Sequence, residues 1–203
     1  MIRTIVLSVV VACAGCVGSA LESKREDPEV FRLTAPDITA GAGGALTTAL
    51  AVGRPRAPVS LDTERIAIAG PATRFDYYAG VRWAEPAPLM LQALLVRALA
   101  DDGRFATVVA VPTRVPSDYQ LEIELRRFEA ESEGSGAPVV QVAMQVTLID
   151  SRRGARLASF PATASVSAAA DRRSDVLTAF DAATHQVIAS IVAATRSAAP
   201  ASE

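Results

Sequence analysis

Two long alternating stretches constrain the fold of this chain more than any other sequence feature. In residues 119–126 and again in residues 140–148, apolar side chains alternate with polar ones. A period of two predicts strands with one face in a core and the other in water. The alternation slips at Arg127, which predicts a β-bulge, and a polar loop at 150–154 leads into a weaker strand over 157–166. The sequence therefore predicts a three-stranded antiparallel meander.

Helical spacing replaces the alternation in two segments. The first begins at Pro86, where no amide hydrogen is required, and ends just before Gly103. The second follows the stripe from Val176 to Ile191 and ends near Thr195. Further strands are predicted over 46–52, 65–69, 74–78 and 105–111. We expect a single α/β domain in which two helices pack on one face of a mostly antiparallel sheet.

The first sixteen residues have the pattern of a lipoprotein signal peptide. A short basic start at Arg3 precedes an apolar run over residues 5–11, which is far shorter than the roughly 20 residues that span a bilayer. Small residues then lead to two cysteines, as in a bacterial lipobox. An Ala-Gly pair and a leader of normal length favour Cys16 as the lipidated residue, and Cys13 is the alternative. Gly18 stands where an Asp would retain a lipoprotein in the inner membrane. It therefore favours an anchor in the outer membrane with the domain facing the periplasm, and the inner membrane is the alternative.

These patterns divide the chain into four parts. Residues 1–15 are the signal peptide, and residues 16–44 form a polar tether that lifts the domain off the membrane. The folded domain is expected over residues 45–196, with a small polar tail over 197–203.

Composition excludes several classes of function. The 203 residues carry 20 basic and 22 acidic side chains, so no positive field is available to attract nucleic acid. One His and two Cys leave no ligand set for a metal or redox cofactor. His185 is interpreted as a solvated helix residue, and Glu122 and Glu124 as part of the polar face of a strand. We expect no catalytic residues, no cofactor and no metal.

The aromatic residues before the first helix are interpreted in two ways, one for Trp83 and one for the two tyrosines. Trp83 is predicted to be buried where the first helix meets the sheet, as a large anchor between them. Tyr77 and Tyr78 are exposed if the strand around them is short, which makes them the candidate partner-binding residues.

The same region carries a family resemblance. After the lipobox ending in Cys16 come RPRAP at 54–58, LDTERIA at 61–67 and FDYYAGVRWAEP at 75–86, which leads into the Leu-rich helix. In these segments the chain resembles the ABC-type transport auxiliary lipoproteins, the PqiC-like group, over roughly residues 30–195.

The resemblance implies a non-enzymatic component of the cell envelope. It implies an accessory subunit of an ABC/MCE-type intermembrane lipid transport system that docks the MCE-domain protein at the outer membrane, with permease and ATPase as indirect partners. Whether the protein forms a homo-oligomer stays open.

Two other classes of function remain as alternatives. One is a stand-alone outer-membrane assembly lipoprotein similar to a pilotin. The other is a periplasmic hydrolase, which requires a deep pocket lined by polar groups.

Overall fold

The computed structural model describes residues 27–41, 44–132, 134 and 136–199. Within these ranges the chain forms eight strands and two helices. The strands are β1 (Glu29–Phe31), β2 (Leu46–Val52), β3 (Arg65–Ala69), β4 (Phe75–Trp83), β5 (Phe105–Ala110), β6 (Tyr119–Glu131), β7 (Val139–Asp150) and β8 (Ala155–Ser167). The helices are α1 (Ala87–Asp101) and α2 (Arg173–Ala198).

All eight strands belong to one sheet, and β6 is its centre. Along one edge β6 pairs with β7 over its full length, and β7 pairs with β8, so these three form an antiparallel meander. The other edge of β6 is shared: β2 pairs in parallel with its beginning and β3 with its end. On the β2 side the sheet ends with β5, which pairs with β2. On the β3 side it continues laterally with β4 and then β1.

The predicted single α/β domain is confirmed, but the sheet is mixed rather than mostly antiparallel. Among the described residues the pairings of β1 with β4, β2 with β5, β2 with β6 and β3 with β6 are parallel. The three remaining pairings are antiparallel. Alternation along a strand shows which of its faces is buried but does not show which strand lies beside it, so the parallel pairings could not be predicted from it.

The meander follows the sequence pattern. Along β7 every second residue is buried, including Val140, Met144 and Leu148, while Gln141 and Gln145 on the other face are only half-buried. A register shift between Leu125 and Arg127 is the predicted bulge.

Both helices pack on one face of the sheet and contact each other. Helix α1 covers β5 and β2, and α2 covers β7 and β8. By length and composition alone α2 could cross a membrane, but it carries Asp181 and His185 and lies with Phe180, Val187 and Ile191 in the core. We call the face of the sheet opposite the helices the helix-free face.

An aromatic cluster joins the sheet to α2. Trp83 is 1 % exposed, as predicted. Its ring contacts Phe128 of β6 at 5.7 Å and Phe180 of α2 at 5.3 Å between centroids. The burial of Trp83 is confirmed, but the rings that it contacts belong to β6 and to α2. Trp83 therefore anchors the C-terminal helix, whereas the sequence had assigned it to the first helix.

The segment over residues 27–41, assigned from sequence to the tether, packs on the domain. Strand β1 pairs in parallel with the end of β4, and Ala84 N donates to Phe31 O at 2.7 Å. Leu33 is buried in the core. The chain is therefore held against the domain from Glu29 onward.

Candidate partner-binding surface

Tyr77 lies on the helix-free face of the sheet near the start of β4. Its hydroxyl donates to Ser60 O at 3.1 Å, and the Arg65 guanidinium carbon lies 3.6 Å from the centre of its ring. The phenol is half-buried, so one side of the ring remains accessible. These two contacts fix the orientation of the ring before any partner binds.

Phe75 extends this aromatic surface toward the end of the sheet. It is 42 % exposed, and its ring meets that of Tyr77 edge to face with centroids 5.5 Å apart. Beside it a shallow groove of about 280 Å³ is lined by residues 69–71 with Glu131 and Ser132. Aromatic rings and Arg are the residues most enriched in protein interfaces, and they lose little conformational freedom on binding.

The turn that leads into β4 is strained. Ala72 and Thr73 have φ values of 53° and 64°, in the left-handed region that residues with a Cβ rarely adopt. Such conformations cost of order 1–3 kcal/mol each and persist only where the surroundings fix them. This turn is the immediate neighbour of Phe75, and it sets the direction in which β4 leaves.

Tyr78 lies on the opposite face of β4, under the start of α2. With Ile66, Val81 and Val176 it lines a small gap, and its hydroxyl is buried without a hydrogen-bond partner among the described residues. Burial raises the pKa of Tyr78, and the nearby Asp171 carboxylate raises it further. Neither candidate tyrosine is fully exposed, because β4 is a strand of nine residues rather than a short one. Tyr77 is half-buried on the helix-free face, whereas Tyr78 is half-buried under α2.

His185 meets Thr34 and Asp181, three residue types that occur together in catalytic sites. Its Nε2 lies 3.0 Å from both Thr34 O and Thr34 Oγ1. Asp181 accepts hydrogen bonds from Thr34 N and Thr34 Oγ1, each at 2.7 Å.

This geometry does not activate a nucleophile. A carbonyl oxygen can only accept, so Nε2 of His185 must donate to Thr34 O and is not free to take a proton. The Thr34 hydroxyl donates its hydrogen bond to Asp181. The three residues therefore fasten the N-terminal segment to α2, a role that the isolated position of His185 in the sequence did not reveal.

Three of the four carboxylates of β6 pair with arginines of the same strand. Glu124 pairs with Arg126 at 3.1 Å, and Arg127 bridges Glu129 at 2.6 Å and also contacts Glu131. Burial alone lowers the pKa of Arg127, but its hydrogen bonds to both carboxylates outweigh that effect and hold the pKa above its ordinary value. No group of three or more metal-ligating residues occurs in the part of the chain that the structure describes.

The tip of the β7–β8 hairpin carries further ion pairs. Arg152 contacts Asp118, and Arg153 lies 3.6 Å from Asp150. The pKa of Asp118 is lowered, chiefly by the hydrogen bond that it accepts from Ala49 N at 2.8 Å and also by Arg152. These basic residues are therefore occupied within the domain.

Comparison with known proteins identifies the family. Residues 31–192 match the family described as the ABC-type transport auxiliary lipoprotein component. The chain belongs to this family. It is thus a lipoprotein component accessory to ABC-type transport, and its family is not a family of enzymes. The resemblance seen in the sequence is confirmed, and a lipoprotein of this kind is associated with the cell envelope.

Solved structures with the same fold agree with the assignment. Protein XCC0632 from Xanthomonas campestris, of the family DUF330, is 28 % identical and has a TM-score of 0.77, covering 83 % of this chain and 95 % of that one. Protein CT253 from Chlamydia trachomatis shares the fold at 11 % identity with a TM-score of 0.51, covering 74 % of this chain and 96 % of that one.

One curated relative is considerably longer. The uncharacterized protein bll6063 of Bradyrhizobium diazoefficiens is 27 % identical over 124 residues, which are 59 % of this chain. The match spans only 32 % of that relative's length.

The structure adds two residues to the surface that the sequence located. Phe75 and Arg65 lie on the same side as Tyr77, and neither was singled out from sequence. The signal was present, because residues two apart on a strand share a face, which places Phe75 beside Tyr77 and separates Tyr78 from both. The cysteines of the lipobox, Cys13 and Cys16, lie outside the described residues.

Proposed function

We propose that this lipoprotein is an accessory subunit of an ABC/MCE-type lipid transport system, anchored in the outer membrane and docking the MCE-domain protein there. The observation that carries the proposal is the family match over residues 31–192 together with an exposed aromatic surface on the helix-free face. In this proposal the subunit contributes binding and no catalysis, since the Asp-His-Thr cluster found among the described residues is a structural fastening.

We place the anchor on Cys16. Replacing it by Cys16→Ser is expected to release the protein from membrane fractions or leave it unprocessed, because the acyl chains are the only attachment in this proposal. Cys13→Ser is the matched control and is expected to leave membrane attachment intact. Mass spectrometry that finds the acyl chains on Cys13 overturns the assignment of the residue while leaving the lipoprotein in place.

Docking is assigned to Tyr77, with Phe75 and Arg65 beside it and Tyr78 supporting the strand. Tyr77→Ala removes the ring from the centre of the surface, so recovery of the MCE-domain protein with the purified lipoprotein is expected to fall at least tenfold. Tyr77→Phe keeps the ring and is expected to retain most of the recovery. Equal recovery with both variants would place the docking surface elsewhere.

The genetic test compares single and double deletions. If the two proteins act in one system, loss of the lipoprotein weakens detergent resistance as much as loss of the MCE-domain protein, and the double deletion is no worse. An additive double phenotype separates the proteins and favours a stand-alone assembly role.

A further inference from the structure

Helix α1 carries apolar side chains on part of the side that faces solvent as well as on the side that faces the sheet. Its charged residues, Arg97 and Asp101, are exposed beside this apolar part, lie 3.7 Å apart and pair with each other. The residues that point outward include three exposed apolar side chains, Leu89, Ala93 and Ala100, with Val96 half-buried among them. Leu89 is 42 % exposed. We call these four residues the outer face of α1. Exposed apolar side chains that are grouped together indicate a candidate contact surface.

A groove continues this face toward the N-terminal segment. It has a volume of about 290 Å³ and lies between Arg32 and Leu33 on one side and Met90, Ala93 and Leu94 of α1 on the other. Arg32 is exposed at the rim of the groove. The apolar surface is therefore contiguous with the segment that connects the domain to its lipid anchor.

The length of the tether indicates what covers this surface. The first described residue, Asp27, follows Cys16 by eleven residues, and Arg32 is five residues further on. Fully extended, eleven residues reach at most about 40 Å. Because the chain enters the domain beside α1, this side is the part of the domain that the proposed anchor holds nearest to the bilayer. The tether itself is a poor cover for an apolar face, because residues 22–27 read ESKRED.

We propose that the outer face of α1 rests on the phospholipid bilayer, with its apolar side chains at the boundary between headgroups and acyl chains and Arg32 among the headgroup phosphates. This inference rests on the proposed lipid anchor and adds an orientation to it. A helix lying in the membrane interface with its apolar side down is a recognised mode of attachment. It fixes the domain against the membrane so that the rest of its surface faces the periplasm.

Fluorescence quenching in proteoliposomes tests the orientation. The full-length acylated protein is reconstituted into vesicles of phosphatidylethanolamine and phosphatidylglycerol at 3:1, with an NBD fluorophore on Ala93→Cys. The matched control carries the fluorophore on Ala143→Cys, which lies on the helix-free face between Gln141 and Gln145. Doxyl-labelled lipid is expected to quench the Ala93 fluorophore at least threefold more than the Ala143 fluorophore. Adding Leu89→Asp is expected to remove most of that difference.

The other possible results of the quenching experiment each indicate a different arrangement of the protein. Equal quenching at the two positions, in vesicles to which the protein is attached, overturns the orientation. If the emission of the Ala93 fluorophore shifts with increasing protein density and is not quenched by the doxyl lipid, a second copy of the protein covers α1. This result also overturns the proposal. Failure of the anchor is recognised separately, because the protein then does not float with the vesicles. In that case, thiol labelling of the protein without the introduced cysteine also detects a free thiol at Cys16.

Discussion

Strand β4 carries aromatic residues at both ends, and the two ends have opposite surroundings. At its end, Trp83 is buried against Phe128 and Phe180. At its start, about 25 Å away along the strand, the rings of Phe75 and Tyr77 contact each other at the protein surface. The same residue class therefore packs in the core at one end and lies at the protein surface at the other. What separates them is the cover supplied by α2.

A glycine divides the two ends. Gly80 has φ of 71° and interrupts the alternation of β4, so Val81 and Trp83 face the helices just as Tyr78 does. Without this irregularity, the strand would turn Trp83 away from the core.

Trp83→Ala is expected to have the largest effect. Removing this buried ring leaves a cavity between the sheet and α2, at a cost of about 3–5 kcal/mol in the free energy of unfolding. Urea denaturation measures the change, and Trp83→Phe is the control that keeps a ring in place at a smaller cost. A loss below about 1 kcal/mol would mean that the aromatic cluster does not anchor α2.

Gly80→Ala is expected to cost about 1–2 kcal/mol, because a residue with a Cβ is strained at positive φ. The cost is conformational, since an added Cβ meets nothing nearer than Arg173 at 3.7 Å. Gly44→Ala, where an added Cβ meets open space, is the control and should leave thermal stability unchanged. If the two variants behave alike, Gly80 is not needed to separate the ends of β4.

Tyr77→Ala is expected to destabilise the domain by only about 1 kcal/mol, through loss of the contacts with Phe75 and Arg65. Its main effect should be on partner recovery. Thermal unfolding of Tyr77→Ala beside Tyr77→Phe checks this. A loss comparable to that of Trp83→Ala would show that the exposed end belongs to the core after all.

Tyr78→Phe is expected to have the smallest effect at neutral pH, a gain of about 0.5 kcal/mol from removing a buried hydroxyl without a protein partner. The effect that distinguishes this variant is expected at alkaline pH. Because burial raises the pKa of Tyr78, its contribution to stability is present below pH 10 and is lost as the pH rises above 10. Urea midpoints measured between pH 9 and about pH 11 should therefore fall less steeply in Tyr78→Phe. An unchanged slope would mean that the phenol is hydrated in the folded protein.

Local structure was predictable because its signals are local. The meander, its bulge near Arg127 and both helices follow from apolar spacing within short windows. The parallel pairings of β2 and β3 with β6 bring together residues more than sixty apart, and nothing in the spacing encodes them. The fastening of Thr34 to α2 depends on the same long-range arrangement.

The candidate surface was predictable in part. Tyr77 was identified as an aromatic residue of an extended segment before the first helix, but its partners Phe75 and Arg65 required the strand register. Tyr78 was grouped with Tyr77 because the two are adjacent, although adjacent residues on a strand face opposite sides.

Cross-linking at the exposed end of β4 shows directly whether this end contacts the MCE-domain protein. A photoreactive p-benzoylphenylalanine replaces Phe75 in living cells, and the matched control replaces Thr163, which is exposed on the helix-free face of β8. We expect a covalent adduct to an MCE-domain protein at Phe75 and none at Thr163. Adducts at Phe75 only to a large β-barrel, or adducts of equal yield at both positions, would contradict this expectation.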